Sequence, residues 1–198
     1  MKIVLATSNR GKIREIQKFL SEYEITPFSD LIEPFEIIED GKSFQENAII
    51  KAKTIYEKLN DENIIVMSDD SGISIEALNY EPNIFSARYA GVKASDKDNL
   101  NKVIQELNKR GVTESKAFYT ASIALATKEG ISTTHGWMHG RVINKPRGEN
   151  GFGYDSIFIP NGFDKTLGEL SDEVKVKISH RSQAIENINT FIKIILQF

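Results

Sequence analysis

The N-terminal segment constrains the fold of this chain more than any other part of the sequence. A short apolar run rich in β-branched residues, residues 2–6 (KIVLA), leads into the polar residues 7–12 (TSNRGK). Apolar residues then recur at helical spacing, at Ile13, Ile16, Phe19 and Leu20. A buried strand, a polar turn and an amphipathic helix in this order are typical of α/β proteins.

Strand and helix patterns continue to alternate along the chain. Ser43 with Glu46 fits a capping box that begins a second helix, and Ser95 with Asp98 caps a third helix that ends near residue 109. Strands are predicted at residues 64–68, 118–127, 131–142 and 156–159, the middle pair forming a hairpin. The apolar face of the last helix carries Ala184, Ile185, Ile188, Phe191, Ile192, Ile195 and Leu196.

These patterns predict an α/β fold with a mixed, twisted sheet flanked by helices. Residues 24–42 and 82–94 are predicted to be irregular. The strand 64–68 is followed by residues 69–72 (DDSG), whose types favour a turn, and Ile73 and Ile75 predict a separate short strand after them. The sequence contains no Gly/Ser linker, so we expect one domain over residues 1–198.

Composition removes several classes of function. The chain has no cysteine, which excludes disulfides, thiolate nucleophiles and Cys-ligated metals and fits a reducing compartment. Its 25 Lys+Arg and 28 Asp+Glu give a net charge of −3, which argues against nucleic-acid binding by bulk electrostatics. No apolar run approaches the ~18 residues of a membrane helix. With 3 His, a metal would be held mainly by carboxylates, which favours magnesium or manganese.

Two polar segments follow predicted strands. Residues 7–12 precede a helix N-terminus, where free backbone N–H groups and the helix dipole favour an anion such as phosphate. Asp69 and Asp70 follow the apolar run 64–68, and two like charges there need a compensating cation. An ordinary polar turn remains the alternative for each segment.

A third segment is acidic and lies near the start of the second helix. Glu36, Glu39 and Asp40 precede it, and Glu46, Asn47 and Lys51 lie on it. Its carboxylates could complete an oxygen-only metal shell with Asp70. Acidic residues at a helix N-terminus are also favourable without any ligand.

A fourth feature combines residues 148–155 (GENGFGYD) with residues 175–181 (KVKISHR). Phe152 or Tyr154 on a Gly-rich loop could stack on a nucleobase. Lys175, His180 and Arg181 could donate hydrogen bonds to phosphates or base acceptors. Core aromatics and a solvated basic face are the alternatives. Taken together, the four segments suit a metal, a polyphosphate and a base, and so indicate a nucleotide-handling enzyme.

The sequence resembles the Ham1-type inosine triphosphate pyrophosphatases, also called non-canonical purine NTP pyrophosphatases. The motifs appear in the family's order and span residues 5–184. They are LATSNRGKIREI, IEDGKSFQENAIIKA, SDDSGISIEAL, PNIFSARYAG, GFGYDSIFIP and SHRSQA.

The resemblance implies magnesium-dependent hydrolysis of ITP, dITP and XTP to the monophosphate and pyrophosphate, with manganese as a possible substitute. It implies an elongated fold of two lobes with an active-site cleft between them, a homodimer, and a cytoplasmic role in clearing deaminated purines.

The resemblance also implies roles for individual residues. Asp70 matches the proton acceptor, and Glu39 and Asp70 match the magnesium positions, with Asp69 close enough to assist. The substrate-binding positions are Thr7, Ser8, Asn9, Arg10, Gly11, Lys12, Ser71, Phe152, Gly153, Tyr154, Asp155, Lys175, His180 and Arg181.

Two positions depart from the family pattern. Ser8 stands where many relatives carry glycine, and Ile38 where many carry a second acidic residue. Two other functions stay open: a septum-inhibitor (Maf) type pyrophosphatase of modified nucleotides, and a non-catalytic nucleotide sensor.

Overall fold

The computed structural model describes residues 2–195 and contains six strands and five α-helices in that range. The strands are β1 (Lys2–Leu5), β2 (Ile25–Pro27), β3 (Ile64–Ile75), β4 (Glu114–Thr127), β5 (Gly130–Ile143) and β6 (Phe158–Pro160). The helices are α1 (Arg10–Phe19), α2 (Phe44–Leu59), α3 (Asp96–Lys109), α4 (Asp172–Ile178) and α5 (His180–Ile195). Leu196, predicted to lie on the last helix, is outside the described residues.

The strands form one mixed sheet in the order β2-β1-β3-β4-β5-β6. β1 pairs in parallel with β2 and β3, whereas β5 and β6 are antiparallel. Both edge strands contain proline, Pro27 and Pro160. Proline cannot donate to a sheet ladder, so edges are where a sheet tolerates it. The predicted α/β class with a mixed sheet is confirmed.

The chain divides into two compact units, each with its own apolar core. Unit 1 comprises residues 1–70, 121–136 and 181–198, and unit 2 comprises residues 71–120 and 137–180. In unit 1, one core packs α1 and α5 against Ile65 and Met67 of β3, and a second packs α2 against Ile64 and Val66. In unit 2, a single core gathers residues such as Phe158.

The prediction of a turn at residues 69–72 is wrong, because β3 runs through these residues without interruption for 12 residues. The physical reason lies at Gly72 and Ser86. Ser86 Oγ accepts a hydrogen bond from Ile73 N at 2.9 Å, and a Cβ on Gly72 would lie 2.3 Å from that oxygen. Gly72 is therefore a point of close approach within a strand, not a turn residue.

Three other local predictions are also wrong. Arg10, Gly11 and Lys12 lie in the first turn of α1 and not in a loop. Residues 25–27, predicted to be irregular, form the edge strand β2. Residues 83–88, predicted to be loop, form a 3-10 helix.

The helix caps match the sequence more closely. Ser43 Oγ accepts from Glu46 N at 3.1 Å, but Glu46 Oε2 accepts from Lys42 N at 2.7 Å, which is one residue earlier than a capping box requires. The box at Ser95 and Asp98 is complete. Among the residues described, no helix is both long and apolar enough to cross a membrane.

We predict that Gly72→Ala lowers the free energy of unfolding by about 2 kcal/mol, because the new Cβ overpacks a filled site. It would lie 2.3 Å from Ser86 Oγ and 2.6 Å from the backbone oxygen of Asn83. Urea denaturation measures the change. Ser86→Ala alone leaves Ile73 N without its acceptor, so it is the reference for the double variant. Against that reference Gly72→Ala should cost less, because the nearest atom, Ser86 Oγ, is gone, although Asn83 O at 2.6 Å and Ser86 Cβ at 2.9 Å remain. A Gly72→Ala variant as stable as the wild type would contradict this account.

Candidate active site

Asp69 and Asp70 lie next to each other on β3, and successive side chains of a strand point to opposite faces of the sheet. Asp69 continues the series of Ile65 and Met67, which pack against α1 and α5. Asp70 continues the series of Ile64 and Val66, which pack against α2. The two adjacent carboxylates therefore enter two different environments.

Asp69 is enclosed by cations from α1 and α5. Its Oδ1 lies 2.5 Å from Lys12 Nζ and its Oδ2 lies 3.1 Å from Arg181 Nε. Arg181 also pairs through Nη1 with Glu15. Burial alone would raise the pKa of Asp69, but Arg181 and Lys12 outweigh it and hold that pKa far below its usual range. These two cations therefore favour the ionised form of Asp69.

Asp70 faces Lys51 on α2. Lys51 Nζ donates to Asp70 Oδ1 at 2.8 Å and to Glu39 Oε2 at 3.1 Å, so one ammonium joins the two carboxylates. Burial raises the pKa of Asp70 above its usual value, and the charge of Lys51 opposes that rise. The pKa of Lys51 is raised in turn, because Asp70 and Glu39 outweigh the effect of its burial.

The oxygens around Asp70 fit a hard divalent cation. Within residues 2–195, Asp70 Oδ2 is buried without a hydrogen-bond partner. No group of three or more acidic or histidine side chains in that range could hold a metal by itself. Magnesium commonly binds through one or two carboxylates and takes its other ligands from phosphates and water. Glu39 and Asp70 would form such a pair.

The start of α1 is organised by its own cap. Asn9 Oδ1 accepts from Gly11 N at 2.9 Å and from Lys12 N at 3.1 Å, and Thr7 Oγ1 accepts from Asn9 N at 3.2 Å. The sequence predicted that free backbone N–H groups favour an anion here. In the structure the side-chain oxygen of Asn9 occupies two of these donors, while Ser8 and Arg10 are exposed beside it.

The Gly-rich loop of residues 148–155, which carries Phe152 and Tyr154, lies in unit 2. Phe152 is 39% exposed, whereas Tyr154 is buried and its hydroxyl donates to Ser86 O at 2.7 Å. Asp155 Oδ2 accepts from Phe152 N at 3.3 Å and from Lys175 Nζ at 3.4 Å. Of the two predicted stacking rings, the exposed Phe152 is the one a base could reach.

The remaining predicted residues of unit 2 are also placed. Gly153 N donates to Asp96 Oδ2 at 3.2 Å, and Ser71 is partly exposed on β3. His180 is buried with its ring stacked on Tyr119, the centroids 4.7 Å apart. The unit 2 residues therefore include a half-exposed ring and a fixed imidazole.

Comparison with known proteins identifies the family. A sequence model of the Ham1 family matches residues 3–191. The chain belongs to the Ham1 family.

Relatives and solved structures of this family match almost the whole chain. A protein of Nautilia profundicola named dITP/XTP pyrophosphatase is 61% identical over 193 residues, 98% of each chain. One of the same name from Aliarcobacter butzleri is 52% identical over 199 residues, 99% of this chain and 100% of that protein. The Ham1 protein structures from Staphylococcus aureus and Coxiella burnetii have TM-scores of 0.85 and 0.86, each at 37% identity and 98% coverage of both chains.

Two residues at the centre of these clusters were not among the predicted site residues. Lys51 bridges Glu39 and Asp70, and Glu15 holds Arg181. Lys51 was noted in the acidic segment, but its helical position alone could not show that it faces β3. A search for charged residues on the apolar faces of α1 and α2 could have found both.

We predict that Lys51→Met lowers the free energy of unfolding in EDTA by about 3 kcal/mol or more, since a buried carboxylate loses its partner. Loss of Lys51 raises the pKa of Asp70 further, so the folded state prefers the neutral acid. The penalty should therefore be largest at neutral pH and shrink as the pH falls through the pKa of folded Asp70. Urea denaturation at neutral pH and at a pH below the pKa of folded Asp70 measures this penalty.

Lys53→Met is the matched control on the same helix. Lys53 is 60% exposed and lies 3.8 Å from Glu57, so its loss should change stability little at either pH. Equal effects of the two substitutions, or a Lys51→Met penalty that does not depend on pH, would contradict the buried pairing.

Proposed function

We propose that this chain hydrolyses ITP, dITP and XTP to the nucleoside monophosphate and pyrophosphate, with magnesium as cofactor. One observation carries the proposal: a Ham1 chain 61% identical to a protein named dITP/XTP pyrophosphatase has Glu39 and Asp70 joined at one buried ammonium. Manganese is expected to substitute for magnesium. A homodimer and a cytoplasmic role in clearing deaminated purines belong to the same proposal.

Glu39 and Asp70 are the residues that would hold the magnesium. The bound ion would neutralise charge on the triphosphate, as in phosphoryl transfer generally. Lys51 lies next to these carboxylates, and Lys12, which pairs with the adjacent Asp69, would contact the pyrophosphate portion of the substrate and stabilise it as it leaves. The bound ion and the two ammonium groups together would offset the negative charge of the triphosphate.

Asp70 is the proton acceptor of the proposed reaction. Its Oδ2 has no hydrogen-bond partner in the described chain, whereas both oxygens of Asp69 contact cations. Water attacks the α-phosphorus, its proton passes to Asp70, and the bond to the bridging oxygen breaks so that pyrophosphate leaves.

Selection of the base follows from hydrogen-bond polarity. Hypoxanthine and xanthine carry an acceptor at position 6, whereas adenine carries a donor. Hydrogen-bond donors from the segment of His180 and Arg181 would match the keto bases and oppose adenine. Such a mismatch in a site built for hydrogen bonding can be worth a factor of about 10⁴. Phe152 would stack on the purine.

A product assay tests the function. The purified chain with magnesium is given ITP, dITP and XTP against ATP and GTP, and pyrophosphate is separated from orthophosphate. We expect pyrophosphate from the keto purines and almost none from ATP. Orthophosphate as first product would overturn the proposed bond cleavage. Binding of ITP without turnover would support a nucleotide sensor instead. A preference for pyrimidine or modified nucleotides would support a Maf-type pyrophosphatase.

We predict that Asp70→Asn lowers kcat for ITP by about 10²–10⁴-fold, the usual contribution of a general base. The amide keeps the size of the side chain but cannot take the proton. Nucleotide binding, measured by calorimetry, should be retained. Magnesium-dependent turnover close to that of the wild type would refute the assigned role of Asp70.

A further inference from the structure

Asp69 has a different environment from its neighbour Asp70, although the two are adjacent in sequence. Asp69 is 1% exposed, and its two carboxylate oxygens contact Lys12 of α1 and Arg181 of α5. Lys51 and Glu39 lie with Asp70 on the other face of β3. A side chain directed toward α1 and α5 is badly placed to share a metal ion with one directed toward α2.

The cations around Asp69 are held tightly by this one carboxylate. Lys12 Nζ lies 2.5 Å from Asp69 Oδ1 and 3.4 Å from the backbone oxygen of the same residue. The Lys12 side chain is 15% exposed, and the two contacts to Asp69 leave one of its three ammonium donors for another acceptor. Arg181, whose side chain is 3% exposed, lies between Asp69 and Glu15.

The ion pairs around Asp69 join two cations to two anions. Lys12 and Arg181 contribute two positive charges, and Asp69 and Glu15 two negative ones. Two buried cations without these partners would repel each other and lose their orientation. The arrangement therefore fixes the direction of a lysine that can reach a phosphate.

We propose that Asp69 is a positioning residue: it holds Lys12, and with Glu15 holds Arg181, in the orientation that binds the substrate, and it is neither a metal ligand nor the general base. This inference rests on the proposed function, in which Lys12 contacts the pyrophosphate portion of the substrate. The two adjacent aspartates then have different roles. Asp69 acts on substrate affinity through Lys12, and Asp70 acts on the metal and on the chemical step.

The test compares Asp69→Asn with Asp70→Asn, two isosteric changes at adjacent positions. KM and kcat are measured for ITP, and manganese binding without nucleotide is measured by electron paramagnetic resonance. For Asp69→Asn we expect KM to rise about tenfold or more, kcat to fall less, and manganese affinity to stay as in the wild type. For Asp70→Asn we expect kcat to fall strongly, KM to change less, and manganese binding to weaken. An unchanged KM, or manganese binding weakened as much as in Asp70→Asn, would overturn the proposal.

A double-mutant cycle with Lys12→Gln keeps the proposal testable if Asp69→Asn does not fold. The double variant Asp69→Asn with Lys12→Gln removes one anion and one cation, so the charge balance around Arg181 and Glu15 is retained. If Asp69 acts through Lys12, the double variant should match Lys12→Gln in KM to within about twofold, because the two effects are not additive. A KM about tenfold above that of Lys12→Gln would show that Asp69 does not act through Lys12 alone. The same rise in Glu15→Gln combined with Lys12→Gln would assign it to Arg181, and its absence there would overturn the proposal.

The wild-type chain in the same assay separates this inference from the proposed function. Absence of turnover with any keto purine nucleotide by the wild type would refute the proposed function and this inference with it. Turnover by the wild type together with an unchanged KM in Asp69→Asn would refute the positioning role alone.

Discussion

The charged part of unit 1 depends on one constraint, the alternation of side chains along an uninterrupted strand. Because β3 continues through Asp69 and Asp70, the two carboxylates cannot share one side of the sheet. Each needs its own cation from the helix layer it faces. Lys12 and Arg181 pair with Asp69 on one side of the sheet, and Lys51 pairs with Asp70 on the other. Each of the helices α1, α2 and α5 thus places a cation against one of two adjacent carboxylates.

Buried ion pairs of this kind are poor candidates for a purely stabilising role. Removing a carboxylate from water costs several kcal/mol, and apolar residues of similar volume would often serve stability as well or better. The neighbouring positions of β3, Ile64 to Met67, show that the same strand packs well with apolar side chains. Charges at Asp69 and Asp70 are therefore explained by what they bind and orient.

The sequence predicted the regular elements well wherever local patterns decide them. Ser43 and Ser95 cap their helices as expected, and the hairpin of β4 and β5 forms at the expected place. The turn at residues 69–72 was wrong because turn propensity is local. Gly72 is required by Ser86, a neighbour fourteen positions along the chain that no local pattern reveals.

The candidate site was predicted only in part for the same reason. The resemblance pointed to Lys12, Glu39, Asp70 and Arg181, and the structure groups them in unit 1. Their partners could not be read from spacing. Lys51 meets Asp70 across nineteen positions and Arg181 meets Asp69 across 112. Pairings over such separations are set by packing of helices on the sheet, which the sequence does not display.

Hydrolysis in water enriched in ¹⁸O tests the central claim most directly, namely that water attacks the α-phosphorus of a keto purine triphosphate. Mass spectrometry of the products from ITP locates the label after a single turnover. We predict ¹⁸O in the nucleoside monophosphate and none in the pyrophosphate. Label in pyrophosphate would place the attack at the β-phosphorus and contradict the roles assigned to Asp70 and Lys12.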